Sequence, residues 1–450
     1  MTGEAVMSSA QANIPTAKCV ELAPETPVHN LPMELLSKIF LNLQLEGKEL
    51  GREFMPFILT HVCQRWRQCA CSIPELWHDI AVTEDRDPSS IAEIPSKGFN
   101  ECLQIWRACF VRCSSMRLEL TPAMLCMIFP NPMELPVLES LAFINTSNTA
   151  APTIMLTPRL TFFILYSLGL KDSAAISIPP CQLTELFLML MAFDSSTVQL
   201  LEAQCSSLRS LALSPGSIDM SQMPPITFPV LEKASLSFGS RGYDVVLPKF
   251  IAPALRTLHV STAHNSVSPP LSVVLPTMLA ASGSQLEHLI IQSCDVIEHE
   301  EELYGILKAV PSLVFLSIQG VLFWDSPLDE VLRALVRRDP ASNQFPVPHL
   351  EKLFINIETA AIDGCADDEG LSEVLDLRRK AEYAVAKLER VDVQISSGMP
   401  EGPASGWHVR PWIEGIIRGF HFDEEEKDSL FQDAETYADR CYSILGNFMT

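Results

Sequence analysis

One short phrase recurs along the chain and restricts its possible folds more than any other feature. From about residue 135 the form Leu-x-x-Leu-x-Leu, with Ile, Val, Phe or Ala allowed at the later positions, opens at Leu138, Leu160, Leu183, Leu208, Leu231, Leu255, Leu286, Leu313, Leu350 and Leu388. Full copies read Leu183-Thr184-Glu185-Leu186-Phe187-Leu188 and Leu208-Arg209-Ser210-Leu211-Ala212-Leu213. Subtracting successive opening positions gives steps of 22, 23, 25, 23, 24, 31, 27, 37 and 38 residues. A proline often precedes the phrase, as at Pro136, Pro158, Pro229, Pro253, Pro311 and Pro348. A single copy is an ordinary apolar strand of an α/β sheet. Ten copies, half of them nearly regular, describe units that bury their leucines only against their neighbours.

The first five steps fall within the roughly 20–29 residues of a leucine-rich repeat. The expected fold is therefore α/β: a leucine-rich-repeat solenoid over residues 116–396, with parallel strands on the concave face and helices outside. The Asn or Cys that closes the longer consensus of such repeats is not regularly present, so the repeats are degenerate. Leu328 to Arg338 and Leu371 to Leu388 have helical spacing and account for the longer late steps. Strand alternation sends the residues between the buried leucines to the concave surface. These are Phe162, Ile164, Tyr166, Phe187 and Met189 early, an apolar group. A mixed group follows, with His259, His288, Ile290, Phe315, Ser317, Lys352, Phe354, Arg390 and Asp392. Phe162, Tyr166, Phe187, His259, His288, Phe315 and Phe354 are the candidate target contacts.

Composition narrows the function. The 450 residues are 47% apolar and 19% charged, enough for a large core, and carry a net charge of −23. An acidic chain repels phosphate backbones and anionic lipid surfaces, so neither nucleic acid nor membrane is an expected partner. No run approaches the roughly 18 apolar residues of a bilayer span. Residues 1–28 read as a disordered tail; with no basic start and apolar core they are not expected to be a secretory signal. The 13 cysteines are odd in number and scattered, which predicts reduced thiols in the cytoplasm or nucleus. Residues 81–115 read as a linker, Asp85 to Ser96, followed by an amphipathic helix, Phe99 to Cys113. Residues 397–450 are not repeat-like; Trp407, Trp412, Ile413 and Phe420 suit a cap on the last repeat.

The most specific block is residues 29–80. Leu31-Pro32-Met33-Glu34 opens a helix, with Pro32 suited to the first turn and Glu34 to the positive helix end. Leu35, Leu36, Ile39, Phe40 and Leu43 form one apolar stripe. Gln44 to Glu53 reads as a loop, and a second helix is expected over Met55 to Cys71. Pro74 to Ile80 adds a last short turn. In order, Leu31, Pro32, Glu34, Ile39, Phe40, Val62, Cys63, Trp66, Leu76 and Trp77 match the pattern of an F-box. Val62-Cys63-Gln64-Arg65-Trp66-Arg67 and Ile73-Pro74-Glu75-Leu76-Trp77 resemble the fungal, mushroom-type F-box proteins with degenerate leucine-rich repeats. The long loop departs from that pattern. The resemblance implies docking of the small Skp adaptor, and through it cullin, by Leu31, Pro32, Glu34, Leu35, Ile39, Phe40, Val62, Cys63, Trp66, Leu76 and Trp77.

Catalytic arrangements are missing from the sequence. It holds no phosphate-binding glycine loop and no Gly-x-Ser-x-Gly elbow. His299-Glu300-Glu301-Glu302 lacks the second histidine of a zinc helix. Cys102, Cys109 and Cys113 share a helical face and read as a buried thiol stripe. No enzyme activity, cofactor or metal is expected. The favoured function is the substrate-recognition subunit of an SCF-type cullin-RING ubiquitin ligase, with the F-box on the adaptor and the repeats on the target protein. The alternative is a non-catalytic leucine-rich-repeat interaction scaffold with no part in ubiquitin transfer. A solenoid sensor for a small ligand is a weaker third class.

Overall fold

The computed structural model describes residues 31–49, 59–60, 62–83, 107–119, 133–145, 155–167, 176–190, 195–215, 224–238, 243–262, 269–293, 300–321, 327–340, 343–359 and 390–397. The expected tail, the helix over Leu371 to Leu388 and the cap segment beyond 397 lie outside them. The chain divides into two compact units, Met1–Leu76 and Trp77–Thr450.

The first unit is helical. Helix α1 (Met33–Glu49) begins after Pro32, whose carbonyl accepts from the N–H groups of Leu35 and Leu36, both at 3.1 Å. The helix runs through Gln44–Glu49, where a loop is expected from the sequence. Gln, Leu, Glu and Lys favour the helix there, and the single Gly47 costs only about 1 kcal/mol. The expected second helix is interrupted. Cys63 is extended (φ −159°, ψ 169°), its Sγ accepts from Trp66 N–H, and α2 (Gln64–Ser72) starts behind it. Pro74–Trp77 forms a single 3-10 turn.

The second unit is a leucine-rich-repeat solenoid. Its strands are β1 (Asp79–Thr83), β2 (Ser115–Glu119), β3 (Met133–Glu134), β4 (Ser140–Asn145), β5 (Met155–Leu156) and β6 (Phe162–Ser167). They continue as β7 (Ile176–Ser177), β8 (Glu185–Leu190), β9 (Ser210–Pro215), β10 (Ile226–Thr227), β11 (Lys233–Phe238) and β12 (Phe250–Ile251). The last are β13 (Thr257–Thr262), β14 (His288–Ser293), β15 (Phe315–Val321), β16 (Lys352–Thr359) and β17 (Arg390–Ser397). Twelve make one parallel sheet, in the order β1-β2-β4-β6-β8-β9-β11-β13-β14-β15-β16-β17. The two-residue strands pair among themselves, β3-β5-β7 and β10-β12. The return segments carry α3 (Ser195–Gln204), α4 (Tyr243–Val246), α5 (Leu271–Ser282), α6 (Glu300–Lys308) and α7 (Pro327–Val336).

Every one of the ten phrases delivers its strand two residues after the opening leucine. Leu138, Leu160, Leu183, Leu208, Leu231, Leu255, Leu313 and Leu350 have no exposed surface. The inner rows are set by the register. Leu186 aligns with Leu211, Leu211 with Ala234, Ala234 with Leu258, and Leu258 with Leu289. A carbonyl spine locks this register. His78 O accepts from Ser114 and Ser115 N–H, Ser114 O from Glu139 and Ser140 N–H, and Glu139 O from Thr161 and Phe162 N–H, all at 2.7–3.1 Å. The pattern continues without a break to Val314 O, which accepts from Glu351 and Lys352 N–H at 2.9 and 3.0 Å.

The sheet starts earlier than residue 116. Asp79–Thr83 is its first strand, paired Ile80 to Met116 and Val82 to Leu118. The phrase is present there in disguise. Trp77-x-x-Ile80-x-Val82 and Cys113-x-x-Met116-x-Leu118 keep the spacing, and Trp77 and Cys113 are both fully buried in the leucine place. Of the expected helix over Phe99 to Cys113, residues 107–113 are described; 107–110 are helical and 111–112 form a turn.

Candidate interaction surfaces

In the first unit the apolar stripe of α1 divides into two faces. Leu36 and Phe40 have no exposed surface. The Phe40 ring lies 5.0 Å from that of Trp66, centroid to centroid, tilted by 58°. Ser37 Oγ sits 3.6 Å from Cys69 Sγ, and Cys69 and Ala70 of α2 are buried. Arg65 reaches back to the carbonyl of Leu31. These contacts fix α1 on α2. Another side carries Leu35 and Ile39, 46% and 40% exposed; Met33 at the helix start is 36% exposed, and Val62, outside the helix, 54%. These are four of the six large apolar side chains that stand exposed among the described residues, the others being Val111 and Val273.

The candidate adaptor residues therefore fall into three groups. Pro32, Glu34, Leu35, Ile39 and Val62 are exposed, and Leu31, Cys63 and Trp66 are half-buried. Phe40, Leu76 and Trp77 have no surface for a partner to touch. Trp77 is the opening residue of the first repeat, which accounts for its burial. Met33, in the first turn of α1, is exposed as well.

In the second unit the concave face is built of three lateral rows. The first contains Phe162, Glu185, Ser210, Lys233, Thr257, His288, Phe315, Lys352 and Arg390. The second contains Ile164, Phe187, Ala212, Ser235, His259, Ile290, Ser317, Phe354 and Asp392. In the third, Tyr166 aligns with Met189, and Ser261 with Gln292. Strand alternation thus sends all seven candidate target residues to this face. Phe162, Phe187, His288, Phe315 and Phe354 are half-buried there, while the Tyr166 side chain lies outside the description.

His259 is the exception. It is 1% exposed, and its row neighbours Ala212, Ser235, Ile290 and Ser317 are buried to 2% or less. Strands about 4.8 Å apart let larger neighbours close over a short or flat side chain. The half-buried residues flanking His259 carry the accessible surface of this face. Phe162 and Phe187 pair at 5.3 Å between ring centroids, and His288 and Phe315 at 6.1 Å. Burial raises the Glu185 carboxyl above its ordinary range, partly offset by the Lys233 ammonium. Burial lowers the His288 imidazole; Glu287 opposes that shift, and Lys352 and Lys233 reinforce it.

The residues that tie one repeat to the next were not foreseen. Gln204 is fully buried. Its Oε1 accepts from Gln182 and Leu183 N–H, both at 3.0 Å, and its Nε2 donates to Pro179 O at 2.7 Å. Gln182 Nε2 donates in turn to the Thr157 and Leu160 carbonyls, at 2.7 and 2.8 Å. Ser207 and Ser312 hydroxyls bond the Leu183 and Leu286 carbonyls. The usable signal is position: Gln182, Ser207 and Ser312 directly precede an opening leucine, and Gln204 stands four residues before one.

No protein-family model and no curated protein matches the chain. Solved structures with similarity include the leucine-rich-repeat protein LegL7 of Legionella pneumophila, at 15% identity and a TM-score of 0.34, covering 77% of this chain and 99% of that one. A chain of the yeast Rad7 and Elc1 complex has 13% identity and a TM-score of 0.35, covering 73% and 88%. The complex of TLR13 with ssRNA13 has 12% identity and a TM-score of 0.32, covering 71% and 53%. Among the described residues no helix is long and apolar enough to cross a membrane.

Proposed function

We propose that the chain is a substrate-recognition subunit of an SCF-type cullin-RING ubiquitin ligase. The first unit docks a Skp-type adaptor, which carries the cullin, and the concave face of the repeats holds a target protein. The observation that supports this reading is the outward face of α1. Leu35 and Ile39 stand exposed on one side of α1, and Val62 is exposed as well, within the residues that resemble an F-box. Apolar helix faces of this kind are held in partner grooves, where a few anchors supply most of the energy. Half-exposed aromatic pairs on the concave face, Phe162 with Phe187 and His288 with Phe315, support target binding there. The chain does no chemistry itself. Tethering raises the effective concentration of target lysines at the ubiquitin-loaded enzyme. The reduced thiols fit the cytoplasm or nucleus, where such a complex works.

The test is co-purification of the wild type and of a Leu35→Ser, Ile39→Ser variant from cells with the proteasome blocked. Adaptor and cullin should accompany the wild type and be lost with the variant. Adaptor without cullin would leave an interaction scaffold in place of a ligase subunit. Neither protein with the wild type would end the adaptor reading.

A further inference from the structure

We infer that Cys181 and Cys205 form a surface dithiol that a peroxide closes to a disulfide. Cys181 lies in the turn that leads into β8, and Cys205 directly follows α3, one repeat later. Cys181 N–H donates to Ala203 O at 2.8 Å, and Ser206 Oγ donates to Cys181 Sγ at 2.9 Å. Cys181 thus touches residues on both sides of Cys205. Cys181 is exposed and Cys205 half-buried, whereas Cys69, Cys109 and Cys113 are buried.

The backbone holds this placement. Cys181 has φ 57°, a left-handed conformation that side chains bearing a Cβ rarely adopt. Such a residue persists only where its surroundings over-determine it. Here the Gln204 amide fixes the next two residues, Gln182 and Leu183, through their N–H groups. The residue that sets the turn is therefore the chain neighbour of Cys205. Burial, and then the charge of Cys181, push the Cys205 thiol up, so the two sulfurs interact electrostatically. Among the described residues no group of three or more His, Cys, Asp or Glu side chains is placed to hold a metal, so the pair is not part of a metal cluster.

The chemistry follows from the difference in exposure. The exposed Cys181 sulfur, which accepts from the Ser206 hydroxyl, attacks hydrogen peroxide as its thiolate. An S–O bond forms, the O–O bond breaks, and hydroxide leaves and takes up the thiol proton as water. The Cys205 sulfur then attacks Cys181 sulfur. An S–S bond forms, the S–O bond breaks, and a second water carries away the remaining proton. Two electrons pass from the sulfurs to the peroxide. A small thiol reverses the step by exchange.

Peptide mapping of the full-length protein under non-reducing conditions, after brief peroxide treatment and alkylation, tests this. The wild type should yield a peptide pair joined through Cys181 and Cys205 that a reductant separates. Cys205→Ser should lose that pair and carry sulfinic acid at Cys181. Ser206→Ala should slow alkylation of Cys181 several-fold with an unchanged melting temperature. Cys181 oxidised to sulfinic acid in the wild type beside a free Cys205 thiol, or joined to another cysteine, would overturn the proposal. Should the variants unfold, the wild-type map decides alone.

Discussion

Ser235 Oγ on β11 lies 2.8 Å from His259 Nδ1 on the neighbouring strand β13. The imidazole continues the contact, with Nε2 at 3.2 Å from Gln292 Oε1 on β14. An amide oxygen only accepts, so Nε2 carries the proton and Nδ1 accepts from the serine hydroxyl. Three repeats are thus joined by one neutral chain of hydrogen bonds.

That chain predicts acid lability. Burial lowers the His259 pKa from 6.5 to about 4, against the opposing hydrogen bond to Gln292. The unfolded chain then binds more protons than the folded one between these values. Stability is complete above about pH 6.5 and falls as the pH drops towards 4, by about 3 kcal/mol from this residue. His288, also lowered by burial, acts in the same direction. Urea unfolding from pH 7 to 4 should show the loss, and His259→Asn should flatten it. An equal slope in the variant would assign the lability elsewhere.

Gln204 should be among the most costly polar side chains to remove. Gln204→Ala deprives the Gln182 and Leu183 N–H groups and the Pro179 carbonyl of their partner. Leaving buried polar groups unmatched costs about 1–3 kcal/mol each, so roughly 2–4 kcal/mol in total is expected after partial relaxation. Equilibrium urea unfolding measures it. A loss below about 1 kcal/mol would mean that water replaces the amide.

Trp77 separates repeat architecture from partner binding. Trp77→Ala should cost about 3–5 kcal/mol, because it empties the leucine place of the first repeat. Trp77→Leu should recover most of that loss, since the phrase uses leucine at this place in ten later repeats. Thermal unfolding of the two variants compares them. A Trp77→Leu protein as unstable as Trp77→Ala would remove this tryptophan from the repeat pattern.

The solenoid was legible because its leucines obey a fixed spacing, and burial of that row is what drives stacking. The strand over 115–119 falls where the alternating run Met116 to Leu120 and the expected start of the solenoid put it. Asp79–Thr83 was hidden because Trp77 fills the leucine place, and a search by residue type passes over it. The amide ties were hidden because Gln182 and Gln204 recur at no fixed place in the other repeats, so spacing does not single them out. Alternation places His259 on the concave face but says nothing of its depth there, 1% exposed in a row with buried Ser235, Ile290 and Ser317. On α1 the 3.6-residue period marked the stripe. It did not show that Leu36 and Phe40 pack inward while Leu35 and Ile39, one position earlier in each turn, face out.

Those two faces make opposite predictions for substitutions one residue apart. Phe40→Ala and Leu36→Ala remove fully buried side chains and should each destabilise the first unit by about 2–5 kcal/mol. Leu35→Ser and Ile39→Ser act on side chains 46% and 40% exposed and should change stability by about 0.5 kcal/mol or less. Their effect on the proposed partner is the reverse. Losing two central anchors of a small interface typically costs about 2 kcal/mol or more each, so adaptor binding should weaken by roughly a thousandfold. Thermal unfolding and titration with a purified Skp-type adaptor measure the two quantities separately. Adaptor affinity unchanged in a folded Leu35→Ser, Ile39→Ser protein would leave this face without the assigned role.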